Sequence, residues 1–174
     1  MGVSSVHKQL VGRRTADNPP DFGAWYREEF GSIAVLAGAI VSSREQGEKI
    51  AQEALMTASM RWDDIGHYDR PGAWVRRVAI NLALNGKRRK TTETSILQRL
   101  AVQPRPPEVR SGDPEVWDAI RKLPPRQRAV VVMHYLEDRP VAEVAEIMGA
   151  AVSTTTTNLG KARANLARIL GEAR

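Results

Sequence analysis

The chain has 174 residues, 42% of them hydrophobic and 26% charged, which is ordinary for a soluble globular protein and argues against disorder throughout. It contains no cysteine, so a disulfide scaffold, a thiolate metal site and a cysteine nucleophile are excluded. Its formal net charge is +6, with a pI near 10.1, and a basic balance of this kind points to an anionic partner such as nucleic acid.

The first twenty residues, MGVSSVHKQLVGRRTADNPP, carry no hydrophobic signal core and are expected to form a flexible arm (1–20). The longest apolar run, IAVLAGAIV, is far short of the roughly 20 residues that span a bilayer, so no membrane insertion and a cytoplasmic location are expected. Asp21 can cap a helix over Phe22 to about Ile40, where Trp25, Tyr26, Phe30, Ile33, Leu36 and Ala37 recur at helical spacing. Ser43 and Gln46 form a capping box for a second helix, Arg44 to Trp62, with Ile50, Ala54, Leu55, Ala58 and Trp62 on one side.

The stretch DDIGHYDRPG (63–72) reads as a loop, and Pro71 opens a third helix whose apolar positions are Trp74, Val75, Val78, Ala79 and Leu82. Charge is distributed unevenly here. From Trp25 to Asp69 acidic residues outnumber basic ones. From Arg70 to Lys90 seven cations, Arg70, Arg76, Arg77, Lys87, Arg88, Arg89 and Lys90, occur with no Asp or Glu among them. Residues 91–112 hold three close prolines and no sustained periodicity, and read as a linker in which Ile96, Leu97 and Leu100 form at most a short turn.

Asp113-Pro114 starts a fourth helix that ends at Pro124-Pro125, and PRQRAVVVMHYLED begins a fifth on that proline pair. A sixth, Val141 to Met148, stops at Gly149; a seventh starts near Ser153 and buries Leu159, Ala162, Leu166 and Ile169. The last two make a helix-turn-helix pattern, whose second helix enters the major groove N-terminal end first. Its start carries the run Ser153, Thr154, Thr155, Thr156, Thr157 and Asn158. Threonine hydroxyls and methyls there can meet phosphates or base edges, or the run can be a surface without contacts. Lys161 and Arg163 lie where backbone phosphates pass.

No catalytic constellation stands out. His7, His67 and His134 fall on an arm, a loop and a helix without metal-ligand spacing, and no glycine-rich phosphate loop is present, so neither enzymatic activity nor a cofactor nor a metal is expected.

Taken together, YREEF, EKIAQEALMTASMRW and DRPGAWVRRVAINLALNGKRRK, followed by LPPRQRAVVVMHYLEDRPVAEVAEIMGAAVSTTTTNLGKARANL, resemble regions two and four of the sigma-70 family, in its short extracytoplasmic-function (ECF) form. The resemblance implies an all-α protein of two small helical domains, 21–90 and 113–174, joined by the proline-rich linker 91–112. It also implies binding to the clamp helices and flap of core RNA polymerase, recognition of −10 and −35 promoter DNA, and help in melting it. Many relatives are held by an anti-sigma factor.

By the same resemblance Gln52, Glu53, Leu55 and Met56 fall in the polymerase-binding helix. His67 and Tyr68 fall where the family captures a flipped base, although Tyr68 also suits the underside of that loop. Arg76, Arg77, Asn81, Lys87, Arg88 and Arg89 fall on the −10 helix. Ser153, Thr154, Thr156, Thr157, Asn158, Lys161 and Arg163 fall on the −35 helix. Two departures stand out. Lys49 occupies a position where the family has Asp, and Thr155-Thr156 replace a valine followed by a cation. An autonomous helix-turn-helix regulator is the competing reading, and the clamp-binding and basic helices of the first unit argue against it.

Overall fold

The computed structural model describes residues 19–93 and 113–172, with the side chains of 87–93 outside that description. Among the described residues every regular element is helical. They are α1 (Phe22–Val41), α2 (Arg44–Ser59), the single turn α3 (Trp62–Ile65), α4 (Pro71–Glu93), α5 (Pro114–Lys122), α6 (Pro125–Val131), α7 (Val141–Met148) and α8 (Val152–Glu172). A π-turn over Val132–Leu136 continues α6.

Helix starts follow the capping chemistry of the sequence. The Asp21 carboxylate accepts from the Ala24 N–H at 2.8 Å, Ser43 Oγ from the Gln46 N–H at 3.3 Å, and Asp113 from the Glu115 N–H at 3.0 Å. The sharp stop between α7 and α8 is Gly149, at φ 62°, a left-handed conformation that a glycine adopts freely. Its N–H bonds the Glu146 carbonyl, and the Ala150 N–H bonds that of Ala145.

Two expected boundaries shift. The second helix ends at Ser59 rather than Trp62, and the chain re-forms a turn at Trp62–Ile65 within the expected loop. That turn places Trp62 against Phe22 and Trp25, at centroid distances of 5.1 and 4.6 Å, with its indole N–H on the Pro20 carbonyl. Aromatic packing thus overrides helical continuity. Helix α4 runs to Glu93, three positions into the expected linker; Ile96, Leu97 and Leu100 lie outside the described residues.

The first core lies within α1–α4. Helices α1 and α2 cross at Gly38 and Gly47, so closely that a Cβ on Gly47 would stand 2.5 Å from the Gly38 Cα. Around that crossing Ile33, Ala51, Ala54, Leu55, Ala58, Ile65, Trp74 and Val75 are buried.

The second core joins the two halves of the chain. Leu36, Ile40, Ala73, Ile80 and Ala83 of the first half pack in one cluster with Trp117, Ile120, Val130, Val132, Met133, Val144, Ile147 and Leu159 of the second. Helix α1 lies against α6, and α4 against α7. The two helical units are therefore docked on each other across an apolar face.

Candidate nucleic-acid interface

Helix α8 places its threonine run on two faces. Thr155 is 1% exposed, facing inward with Leu159 and Ala162, and its hydroxyl donates to the Ala151 carbonyl at 3.1 Å. The valine-to-threonine departure therefore keeps an inward methyl and satisfies its hydroxyl locally, and the helix is continuous from Val152. Ser153, Thr154, Thr156 and Thr157 are exposed, and Asn158 is half-buried. The Thr156 and Thr157 hydroxyls each donate back to a carbonyl one turn earlier, Val152 and Ser153, at 2.9 Å. With the hydroxyl protons engaged, these side chains offer an outer partner a methyl group and an acceptor oxygen.

Lys161 is exposed one turn further along. The Arg163 guanidinium is tied to Tyr135, donating from Nε to the phenol oxygen and lying 5.7 Å from the ring centroid. Tyr135 and Leu136 emerge at the surface from the π-turn, a local rewinding by one residue that also swings Glu137 inward.

On α4 the expected DNA-facing residues divide. Asn81 is exposed. Arg76, by contrast, is 4% exposed and makes four hydrogen bonds: Nε to Glu137 Oε2 at 2.8 Å, Nη1 to Glu29 Oε2 at 2.7 Å and to the Gly72 carbonyl at 3.1 Å, and Nη2 to Ser32 Oγ at 2.8 Å. In this conformation it faces the second unit. Arg77 lies over Gly149, where a Cβ would come within 2.5 Å of its Nη2, and donates to the Glu146 carbonyl at 3.3 Å. Burial draws the Arg77 guanidinium below its ordinary pKa. Arg70 pairs with Glu146 at 2.6 Å. The side chains of Lys87, Arg88 and Arg89 lie outside the described residues.

Of the two loop residues expected at a flipped base, His67 is half-buried, whereas Tyr68 belongs to the first core at 9% exposure. Burial raises the Tyr68 phenol above its ordinary value, so it stays protonated.

On the expected polymerase face of α2, Gln52 and Glu53 are exposed and Met56 is 63% exposed, whereas Leu55 is fully buried and holds the first core. Met60, four positions beyond Met56 and 74% exposed, extends that face. Sequence reasoning missed it, although paired methionines at helical spacing on an otherwise polar face were the available signal. Lys49, in place of the family's Asp, is ion-paired with Glu45 at 2.6 Å.

Residues 114–166 match the family described as Sigma-70, region 4. The chain is 27% identical over 165 residues to the ECF RNA polymerase sigma factor SigM of Mycobacterium tuberculosis, covering 94% of this chain and 84% of that one. It is 26% identical over 148 residues to the RNA polymerase sigma-E factor of Streptomyces coelicolor, covering 84% of each. In fold it resembles the sigma factor RpoE of Bartonella quintana, solved with the anti-sigma factor NepR (TM-score 0.73, 20% identity, 88% of this chain and 99% of that one). It also resembles CnrH, solved with the cytosolic domain of CnrY (TM-score 0.61, 18% identity, 97% and 96%). Residues 114–166 thus carry a sigma-70 region 4, the part of the chain that holds the helix-turn-helix at α7–α8, and over nearly its whole length the chain is similar to sigma factors of the ECF type.

Proposed function

We propose that this protein is a promoter-specificity subunit that binds core RNA polymerase, recognises −10 and −35 elements and helps to open the promoter. The observation that carries the reading is the presence in one chain of two separate exposed surfaces with different chemistries. One is the sulfur-rich α2 face of Gln52, Glu53, Met56 and Met60, suited to a protein partner. The other is the polar leading edge of α8, Ser153 to Thr157 with Asn158 and Lys161, presented by a helix-turn-helix.

In this reading α2 docks on the polymerase clamp helices, the second unit docks on the flap, α8 reads the −35 duplex, and α4 engages the −10 strand. Asn81, Arg77 and the cluster Lys87, Arg88 and Arg89 supply the −10 contacts. His67 is the loop residue placed for a base. Tyr68 supports that loop from beneath, and Leu55 supports the α2 face from within. The protein acts stoichiometrically in the cytoplasm with polymerase and needs no cofactor. The complexes of two fold relatives with NepR and with CnrY support an anti-sigma factor as a further partner.

Run-off transcription with core polymerase on genomic fragments tests the reading. A specific start site that depends on this protein is the expected result. Tight duplex binding by the protein alone, with no specific transcript, would favour the autonomous regulator.

A further inference from the structure

Sulfur in this chain is confined to five methionines, since cysteine is absent. Among the described residues Met133 is fully buried in the second core and Met148 is half-buried, whereas Met56 and Met60 are 63% and 74% exposed. These two are also the most exposed large apolar side chains of the described residues. The Met60 N–H donates to the Met56 carbonyl at 3.2 Å, so the two side chains leave α2 on one face, a helical turn apart. The most accessible thioethers are thus paired on the face that carries Gln52 and Glu53.

A thioether takes one oxygen from a hydroperoxide in a two-electron step. The sulfur lone pair attacks the terminal peroxide oxygen, and the O–O bond breaks. The departing hydroxide or alkoxide takes the proton left on the transferred oxygen, so sulfide and hydroperoxide become sulfoxide and water or alcohol. At Met133 this would put a polar group among Val130, Val132 and Val144, and burial keeps oxidant out. At Met56 and Met60 the core is not involved. Ala54, Leu55 and Ala58 hold the inward side of the same helix and are fully buried, so its packing does not depend on the outer sulfurs. The Thr57 and Ser59 hydroxyls donate to the Glu53 and Met56 carbonyls at 2.9 and 2.8 Å, and a sulfoxide oxygen beside them takes its hydrogen bonds from water. A protein partner closing over the face must strip that water, which a soft apolar thioether does not require.

We propose that Met56 and Met60 form a reversible oxidation site, whose substrate is a hydroperoxide and whose sulfoxide form weakens binding of core RNA polymerase while the fold stays intact. The proposal rests on the reading above that this face of α2 meets polymerase. Thiol-dependent methionine sulfoxide reductases, one for each sulfoxide epimer, are the class of enzyme that restores the face.

Hydrogen peroxide treatment of the full chain, followed by peptide mass mapping, tests the site without polymerase. Met56 and Met60 should each gain one oxygen on the order of tenfold faster than Met133, with unchanged helical circular dichroism. Comparable oxidation of Met133, or loss of the helical signal, overturns the proposal.

Binding of treated and untreated protein to immobilised core polymerase tests the consequence. Oxidation should weaken binding on the order of tenfold, and incubation with both reductase types and dithiothreitol should restore it. The M56L/M60L variant is compared only with its own untreated state, and peroxide should leave its affinity where it was. An oxidised protein that binds as before, a loss that the reductases do not reverse, or an equal loss in M56L/M60L overturns the proposal. Failure of the untreated protein to bind core polymerase would refute the functional reading instead, and peptide mapping alone would then decide whether the oxidation site exists.

Discussion

The Arg128 guanidinium of α6 caps the C-terminal end of α1, 88 positions away in sequence, donating from Nη1 to the Ile40 carbonyl at 3.0 Å. The same group reaches the Ala39 carbonyl at 3.3 Å and Ser42 Oγ at 2.6 Å, and its Nε bonds the Leu123 carbonyl at 2.7 Å. Burial lowers the Arg128 pKa, and Arg121 adds to the effect, yet a guanidinium remains charged and a helix C-terminus favours a cation. Arg128→Met keeps the stem and leaves these buried acceptors unpaired. It should destabilise the chain by roughly 2–4 kcal/mol. Urea denaturation followed by circular dichroism measures this, and a change within a few tenths of a kcal/mol would mean that the α1 end is solvated.

Two glycines in neighbouring helical surroundings should respond in opposite directions. Gly47→Ala forces a Cβ into the backbone of α1 at Gly38, so α1 and α2 must separate. The expected loss is about 1–3 kcal/mol, which outweighs alanine's better helix propensity. Gly31 is exposed in α1, and a methyl group there would meet nothing within 4 Å, so Gly31→Ala should stabilise by about 1 kcal/mol. Thermal melts of both variants, side by side, check the signs.

Much of this fold is legible in the sequence because its signals are local. Asp21, Ser43 and Asp113 announce helix starts through side chains that bond backbone groups two or three residues on. Gly149 announces the helix-turn-helix corner through its own φ. The break at Met60 is less visible, since the residues on either side stay helical in pattern and the cause is the distant aromatic cluster of Phe22 and Trp25.

Long-range matching is invisible for a different reason. Arg76 belongs to an unopposed basic run and therefore reads as a cation for DNA, whereas its partners lie far off in sequence, Glu29 on α1 and Glu137 just after the π-turn. Nothing in a one-dimensional charge pattern reveals that pairing. Leu55 and Met56 show the same limit at closer range: a one-position step on a helix separates a fully buried side chain from one that is 63% exposed.

That step gives a prediction for polymerase binding. Replacing Met56 and Met60 together by Glu adds charge to an apolar contact face without touching the core, and should weaken association with core polymerase by about 10- to 100-fold. Leu55→Ala should instead lower the unfolding free energy by roughly 2–5 kcal/mol. Surface-plasmon measurements on immobilised core polymerase, paired with denaturation curves, separate the two effects. A methionine pair that can be charged with no loss of affinity would remove this face of α2 from the interface.

The threonine edge of α8 yields the sharpest contrast, because adjacent residues have opposite fates. Thr156 is exposed with its hydroxyl proton held by the Val152 carbonyl, and Thr155 is buried with its own held by Ala151. Thr156→Lys places a cation on the leading edge, so affinity for the −35 duplex should rise several-fold at low salt. The slope of log affinity against log salt should steepen by about 0.9, the signature of one added phosphate contact. Thr155→Val exchanges a buried hydroxyl for a methyl and should add up to about 1 kcal/mol of stability while leaving the salt slope unchanged. Thr156→Val and Thr156→Ser then divide the remaining chemistry. Since the hydroxyl proton is already engaged within the helix, only the methyl and the acceptor oxygen remain for DNA: the valine variant loses affinity if the oxygen accepts from a base edge, and the serine variant loses it if the methyl makes the contact. Fluorescence anisotropy on one labelled duplex across a salt series measures all four variants, and a salt slope that Thr156→Lys leaves untouched would turn this face of α8 away from DNA.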